Sequence, residues 1–146
     1  MANNKFQFPA DIADGAFPLV ARLLICGIFV QGALGKIMGW QGQAQYMASR
    51  GMQPATIPAL LGIALVIEAV GVLYLVVGWQ ARVAAFIMFL YLGAVSVMLH
   101  NFWTLTEMSA GVMQTQFMKN VAIMGGLLMI SAYGAGRWSV DGKSSG

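Results

Sequence analysis

Ile57 to Gly78 reads IPALLGIALVIEAVGVLYLVVG, an unbroken apolar stretch with a single charged side chain, Glu68, near its middle. A helix rises ~1.5 Å per residue, so about 20 such residues cross the ~30 Å hydrocarbon core of a bilayer. Lipid offers no partner to an open backbone N–H or C=O, and a stretch of this kind therefore crosses as a helix. Three more apolar stretches of similar length accompany it: Phe17 to Met38, Arg82 to Phe102 and Phe117 to Ala135. The expected architecture is all-α, an integral membrane four-helix bundle.

Composition agrees. Of 146 residues, 59% are hydrophobic and only 9% are charged, whereas a soluble domain carries roughly 25% charged residues. The net charge of +3 comes from eight Lys/Arg and five Asp/Glu scattered along the chain. Without a basic cluster, nucleic acid is not an expected partner. The one cysteine, Cys26, lies inside the first apolar run, which leaves no disulfide, CxxC pair or thiolate metal site within one subunit.

The expected division is a polar N-terminal segment over 1–16, a four-span domain over 17–138 and a polar C-terminal tail over 139–146. The first apolar run exceeds the ~7–15 residues of a signal-peptide core, and three more follow it, so it reads as a retained anchor. Between the first two spans, GWQGQAQYMASRGMQPATIP predicts a short interfacial helix ending near Gly51, with Pro54 and Pro58 beyond. The third connection, NFWTLTEMSAGVMQTQ, predicts a second segment along the membrane surface. The second is a tight turn at Trp79 and Gln80.

Trp40, Trp79, Trp103 and Trp138 each stand just beyond an apolar run, where an indole keeps its body in hydrocarbon and its N–H toward water. Placing both termini in the cytoplasm puts Lys5, Arg22, Arg82, Arg137 and Lys143 on that side, against Lys36, Arg50 and Lys119 opposite. This satisfies the positive-inside rule. A faint repeat links ARLLICGIF from Ala21 to ARVAAFIMF from Ala81, which would make the chain two parallel hairpins.

The charges fall on helix faces that also carry small residues. Arg22, Cys26, Phe29, Ala33 and Lys36 share one stripe, and Glu68 lies with Ala64 and Gly71 on another. Small residues mark helix–helix contacts in membranes, so these stripes should face the bundle interior. A lone acid at mid-membrane costs at least ~2.5–3.5 kcal/mol and is protonated or paired. Depth nominates Arg22 as its partner, either as a structural pair that sets helix register or as part of a proton or ligand site. Toward the other end, Lys36, His100, Lys119 and Asn120 with Trp103 form a candidate mouth for an anionic or quinone-like headgroup. The competing reading is a set of solvated helix ends. Haem is disfavoured because a bis-His site needs two histidines and the chain has one, His100. No phosphate loop, hydrolase triad or metal-ligand spacing is present in the sequence.

Taken in order, RLLICGIFVQGALGKIMGWQGQAQYMASRGM, IEAVGVLYLVVGWQARVAA, HNFW and FMKNVAIMGGLLMISAYGAGRWSVD resemble the DoxX family of bacterial inner-membrane proteins, from Arg22 to Asp141. The residues that carry the likeness are Arg22, Gly35-Lys36, Glu68, Gly78-Trp79, Arg82, His100, Trp103 and Lys119-Asn120. The resemblance implies a four-helix protein whose relatives serve thiosulfate:quinone oxidoreductase, terminal oxidase and thiol-stress systems. It lends no catalytic residues and no bound cofactor, although a quinone fits the context. Two functions follow as expectations: a non-catalytic accessory subunit docking a redox-enzyme partner in the bilayer, or a small homo-oligomeric transporter or channel that uses the intramembrane charges.

Overall fold

The computed structural model describes residues 8–105 and 107–143. Residues 1–7 of the expected N-terminal segment and 144–146 of the tail lie outside the described residues. The chain is helical in every element. A π-helical stretch, Asp11–Ala16, runs directly into α1, Phe17–Met38, so the first helix begins before the apolar run that predicts it. A short helix, α2, covers Trp40–Ser49. It closes in a Schellman motif, with Met52 N–H donating to Met47 C=O at 3.3 Å and Gly51 at φ +85°.

Helix α3, Ile57–Val77, starts with Pro58 in its first turn, where a missing N–H does no harm, and ends at Gly78 in the left-handed conformation. Helix α4 is Ala81–Leu99. After a single 3₁₀ turn, Phe102–Thr104, helix α5 spans Glu107–Tyr133, and α6 is the short Val140–Lys143. The separate surface helix expected in the third connection does not form. Nothing in SAGVMQTQ breaks a helix except the single Gly111, so Glu107 onward is the opening of α5.

Among the described residues, three helices are long and apolar enough to cross a membrane: Asp11–Met38, Ile57–Val77 and Ala81–Thr104. Helix α5, 27 residues long, has the length to cross, but Gln116, Lys119 and Asn120 interrupt its apolar character. The outward faces carry Leu24, Ile37, Leu73, Phe86 and Met129, all exposed. That is the inverse of a soluble surface and suits contact with acyl chains.

Helix α1 packs on α3, α3 on α4, α4 on α5, and α1 touches α5 to close the bundle. The shared core holds Cys26, Phe29, Leu75, Ala85, Met88 and Leu127. Lipid tails are as apolar as leucine, so helix association rests on close packing through small residues. Met88 Sδ occupies the place a Cβ on Gly71 would need, and Ile25 Cδ1 lies 2.8 Å from the corresponding point on Gly126.

The faint sequence repeat has a structural counterpart. Arg22, near the start of α1, donates to the carbonyls of Leu75 at 2.6 Å and Val76 at 3.1 Å, at the end of α3. Arg82, near the start of α4, donates to the carbonyls of Ser131 and Ala132, at the end of α5. Both receiving helices end in a left-handed glycine, Gly78 at φ +70° and Gly134 at φ +89°. Each hairpin thus uses an arginine on its first helix to satisfy the orphan carbonyls of its second.

The two chain ends meet. Arg137 N–H donates to Asp14 C=O at 2.7 Å, and the Arg137 guanidinium lies 3.0 Å from Asp11. Asp141 accepts from Gln80 N–H and Ala81 N–H, both at 2.9 Å, and so caps the start of α4 from a distant part of the sequence.

Candidate functional site

Glu68 sits on the inner face of α3, with its side chain only 6% exposed. Its partner is Lys36 of α1, not Arg22. Lys36 Nζ donates to Glu68 Oε1 at 2.8 Å and Oε2 at 2.9 Å, and contacts Gly32 C=O at 3.3 Å. Tyr91 of α4 donates its hydroxyl to Glu68 Oε1 at 2.7 Å. The carboxylate is therefore held by three helices, and the Lys36 ammonium has an oxygen for each proton. Charge-assisted bonds of this length are the strong ones.

The expected Arg22–Glu68 pair does not form, because the antiparallel register of α1 and α3 keeps the two apart. Arg22 faces Leu75 and Val76, seven and eight residues beyond Glu68, or ~10–12 Å along the helix. Its guanidinium is fully buried, with Nη1 and Nη2 donating to carbonyls, including Trp138 C=O at 2.7 Å, and Asp141 is near enough to act on its charge. Lys36 starts at the far end of α1, and its long stem carries the charge inward to the carboxylate. Gly32 makes the approach possible, since a Cβ there would lie 3.1 Å from Glu68 Oε1 and 3.2 Å from Oε2.

The Lys36–Glu68–Tyr91 network forms one wall of a cavity of about 590 Å³ that runs to His100 at the end of α4. Its apolar walls include Ile28, Phe29, Leu61, Ala64, Val95 and Met98, and its polar lining adds Gln31, Gln43, Gln116 and Asn120. Asn120 donates Nδ2–H to Ser96 Oγ at 2.9 Å, which ties α5 to α4 beside the cavity. Volume and character match a small-molecule site: largely apolar, with a few convergent polar groups.

The candidate mouth assembles only in part. Lys36, His100 and Asn120 line this cavity. Trp103 instead joins Phe102 and Phe117 in an edge-to-face cluster, with ring centroids 5.2 to 5.8 Å apart. Lys119 turns to the other side of α5, beside Gln114, Thr115 and Met118. A mouth of three converging cations does not form, because Lys36 is neutralised by Glu68 and Lys119, although near enough to His100 to act on it electrostatically, does not line the cavity. Sequence reasoning missed Tyr91, whose hydroxyl lies inside an apolar run at the depth of Glu68. It also missed Gln31, Gln43 and Gln116, amides set among residues expected to meet lipid or water.

The DoxX family model matches residues 17–101, covering α1 to α4 and both ends of the Lys36–Glu68 pair. The chain belongs to the DoxX family. Over residues 60–145 this DoxX chain also matches the SURF4 family model. It is 33% identical over 139 residues to the inner membrane protein YphA of Escherichia coli K12, covering 95% of this chain and 98% of that one. The inner membrane protein YqjF of the same organism is 30% identical over 123 residues, covering 84% and 88%. The ER-derived vesicles protein ERV29 of Saccharomyces cerevisiae is 30% identical over 78 residues, covering 53% of this DoxX chain and 25% of its own length. No solved structure matches.

Proposed function

We propose that this DoxX-family protein spans the bacterial inner membrane four times with both termini in the cytoplasm. In this reading it binds a neutral, amphipathic ligand of the quinone class and acts as an accessory subunit in a redox assembly. The cavity beside Lys36, Glu68 and Tyr91 carries the ligand reading. A quinone is a flat ring with two carbonyl acceptors and an apolar tail. The amides of Gln31, Gln43, Gln116 and Asn120 can donate to such carbonyls while the apolar walls take the tail. The ion pair is satisfied internally and leaves no net charge for the guest to meet.

Four crossings, rather than three, are supported by the meeting of the chain ends: Arg137 bonds Asp14 and Asp11, so both ends lie on one side and the number of crossings is even. Helix α5 then supplies the fourth crossing, and α2 lies along the surface between the first two. The relatives named as inner membrane proteins support the location.

The test is ligand-induced thermal stabilisation of the purified protein in neutral-lipid nanodiscs, since a guest that binds only the folded state raises the melting temperature. Short-chain ubiquinone and menaquinone analogues should stabilise the wild type. Asn120→Leu and Gln116→Leu should reduce the effect, and Arg137→Gln on the opposite side should not. No stabilisation of the wild type, or equal stabilisation of all variants, would sink the quinone reading.

A further inference from the structure

Where α2 meets the end of α4, four buried polar atoms have no hydrogen-bond partner among the described residues: Arg50 Nε and Nη2, His100 Nδ1 and Asn101 Oδ1. Tyr46 fixes the junction, its hydroxyl donating to Leu99 C=O at 3.0 Å. Arg50 follows one helical turn after Tyr46 and so projects from the same side of α2. His100 and Asn101 come directly after Leu99. Arg50 and Lys119 are both close enough to His100 to act on it electrostatically, and both are positive.

The two open nitrogens of Arg50 are informative because Nε–H and Nη2–H point the same way and form one fork of the guanidinium. That fork matches two oxygens of a single carboxylate or phosphate, a geometry Lys lacks. An arginine edge withdrawn from water without acceptors is unfavourable, and the charges that act on His100 here, Arg50 and Lys119, are both positive. His100 Nδ1 can carry a proton, and turning the Asn101 amide by half a rotation presents its NH₂ in place of Oδ1. The cluster is thus able to offer donors to one oxyanion from three residues.

We propose that Arg50, His100 and Asn101 form a phosphate-binding site at the end of the bundle opposite the chain termini. The site lies where α1 and α4 end and α3 begins, the end of the bundle at which Trp40 and Trp103 follow the apolar helices, at the level expected for lipid headgroups. A phosphodiester of an anionic lipid and free inorganic phosphate share the chemistry the fork reads. The proposal uses the membrane placement argued above but not the quinone: His100 also lines the cavity, whereas Arg50 and Asn101 lie outside its lining.

The experiment follows thermal unfolding of the full chain in dodecyl maltoside micelles, which carry no phosphate group, at constant ionic strength. One arm titrates inorganic phosphate, and the other adds phosphatidylglycerol to the micelles. Stabilisation in the first arm assigns free phosphate, and stabilisation in the second alone assigns the lipid phosphodiester. In either case Arg50→Lys should weaken binding about tenfold by losing the fork, and Arg50→Gln should abolish it. Arg137→Gln, an exposed charge at the other end, should leave it intact. Should the Arg50 variants fail to fold, His100→Gln takes their place, with native mass spectrometry counting phosphate or phosphatidylglycerol retained on the protein. No stabilisation in either arm, or a shift that survives Arg50→Gln or the replacement variant, overturns the site. Its failure leaves the quinone test untouched, since that test reads neutral analogues in neutral lipid.

Discussion

The Lys36 ammonium bridges both oxygens of the Glu68 carboxylate, at 2.8 and 2.9 Å, and so binds α1 to α3 at the depth where Tyr91 of α4 reaches the same carboxylate. Two charges withdrawn from water are tolerated only together. Truncating one partner of a buried pair in a soluble protein costs about 3–5 kcal/mol, because the other is left uncompensated. Lys36→Met and Glu68→Leu should therefore each lower the unfolding midpoint markedly, and the double variant should recover much of the loss. A double-mutant cycle by denaturant titration in micelles should give a coupling of about 1–3 kcal/mol. Additive losses would show the pair to be energetically independent.

Glu68 also has a hydroxyl donor, and its replacement separates charge pairing from hydrogen bonding. Tyr91→Phe removes one bond to the carboxylate and should cost about 1.5–3 kcal/mol, the range for hydrogen bonds to charged groups. The effect should vanish in a Glu68→Leu background. Equal effects of Tyr91→Phe in both backgrounds would assign Tyr91 to packing alone.

Gly32 lets the carboxylate lie against the α1 backbone. A methyl group there would sit 3.1–3.2 Å from both Glu68 oxygens, whereas one on Gly27, also in α1, meets nothing within 4 Å. Gly32→Ala should destabilise by about 1–3 kcal/mol, the usual range for overpacking. Gly27→Ala should be neutral or slightly stabilising, since alanine is the better helix former. Melting curves of the two variants side by side provide the comparison.

The two capping arginines differ in burial, and so should their substitutions. Arg22 is fully buried and serves Leu75, Val76 and Trp138, while Arg82 is exposed at the corresponding place in the second hairpin. Leaving buried carbonyls unpaired costs about 1–3 kcal/mol each. Arg22→Met should be among the most damaging single changes in the chain, and Arg82→Met should be mild. Expression level and melting temperature in detergent read both.

Asp141 caps α4 through Gln80 and Ala81, bridging from the C-terminal segment to the α3–α4 turn. Asp141→Ala should cost ~1 kcal/mol, as cap deletions do. It should also raise hydrogen exchange at the Gln80 and Ala81 amides, a local signature that a general loss of stability would not produce.

Much of this molecule is legible in its residue order. Apolar stretches of spanning length, the prolines of the first turns and the glycines at Gly51 and Gly78 locate the helices, because lipid forces a long apolar segment to satisfy its own backbone. The same logic places charged residues on inward faces beside glycine and alanine. Sequence also shows Arg22 and Arg82 as equivalents, although their common role in capping a neighbouring helix appears only in three dimensions. The extension of α5 back to Glu107 was hidden, because polar residues before an apolar run read equally well as a surface loop.

The charge partners were decided by tertiary structure. Depth along a helix is readable from residue number, and depth alone nominates Arg22 for Glu68 and sends Lys36 to the far-side mouth. The relative slide of α1 and α3 settles it, putting Gly32 opposite the carboxylate and Arg22 opposite the last turn of α3. Each of those helices is held in turn by a further one, α3 by Met88 of α4 over Gly71 and α1, through Ile25, by α5 at Gly126. Such packing is a property of several helices at once, with no trace in the periodicity of any one of them. Sequence therefore determined that buried charges exist and must find partners; packing determined that a lysine pairs with the acid and that backbone carbonyls take up the donors of the arginine.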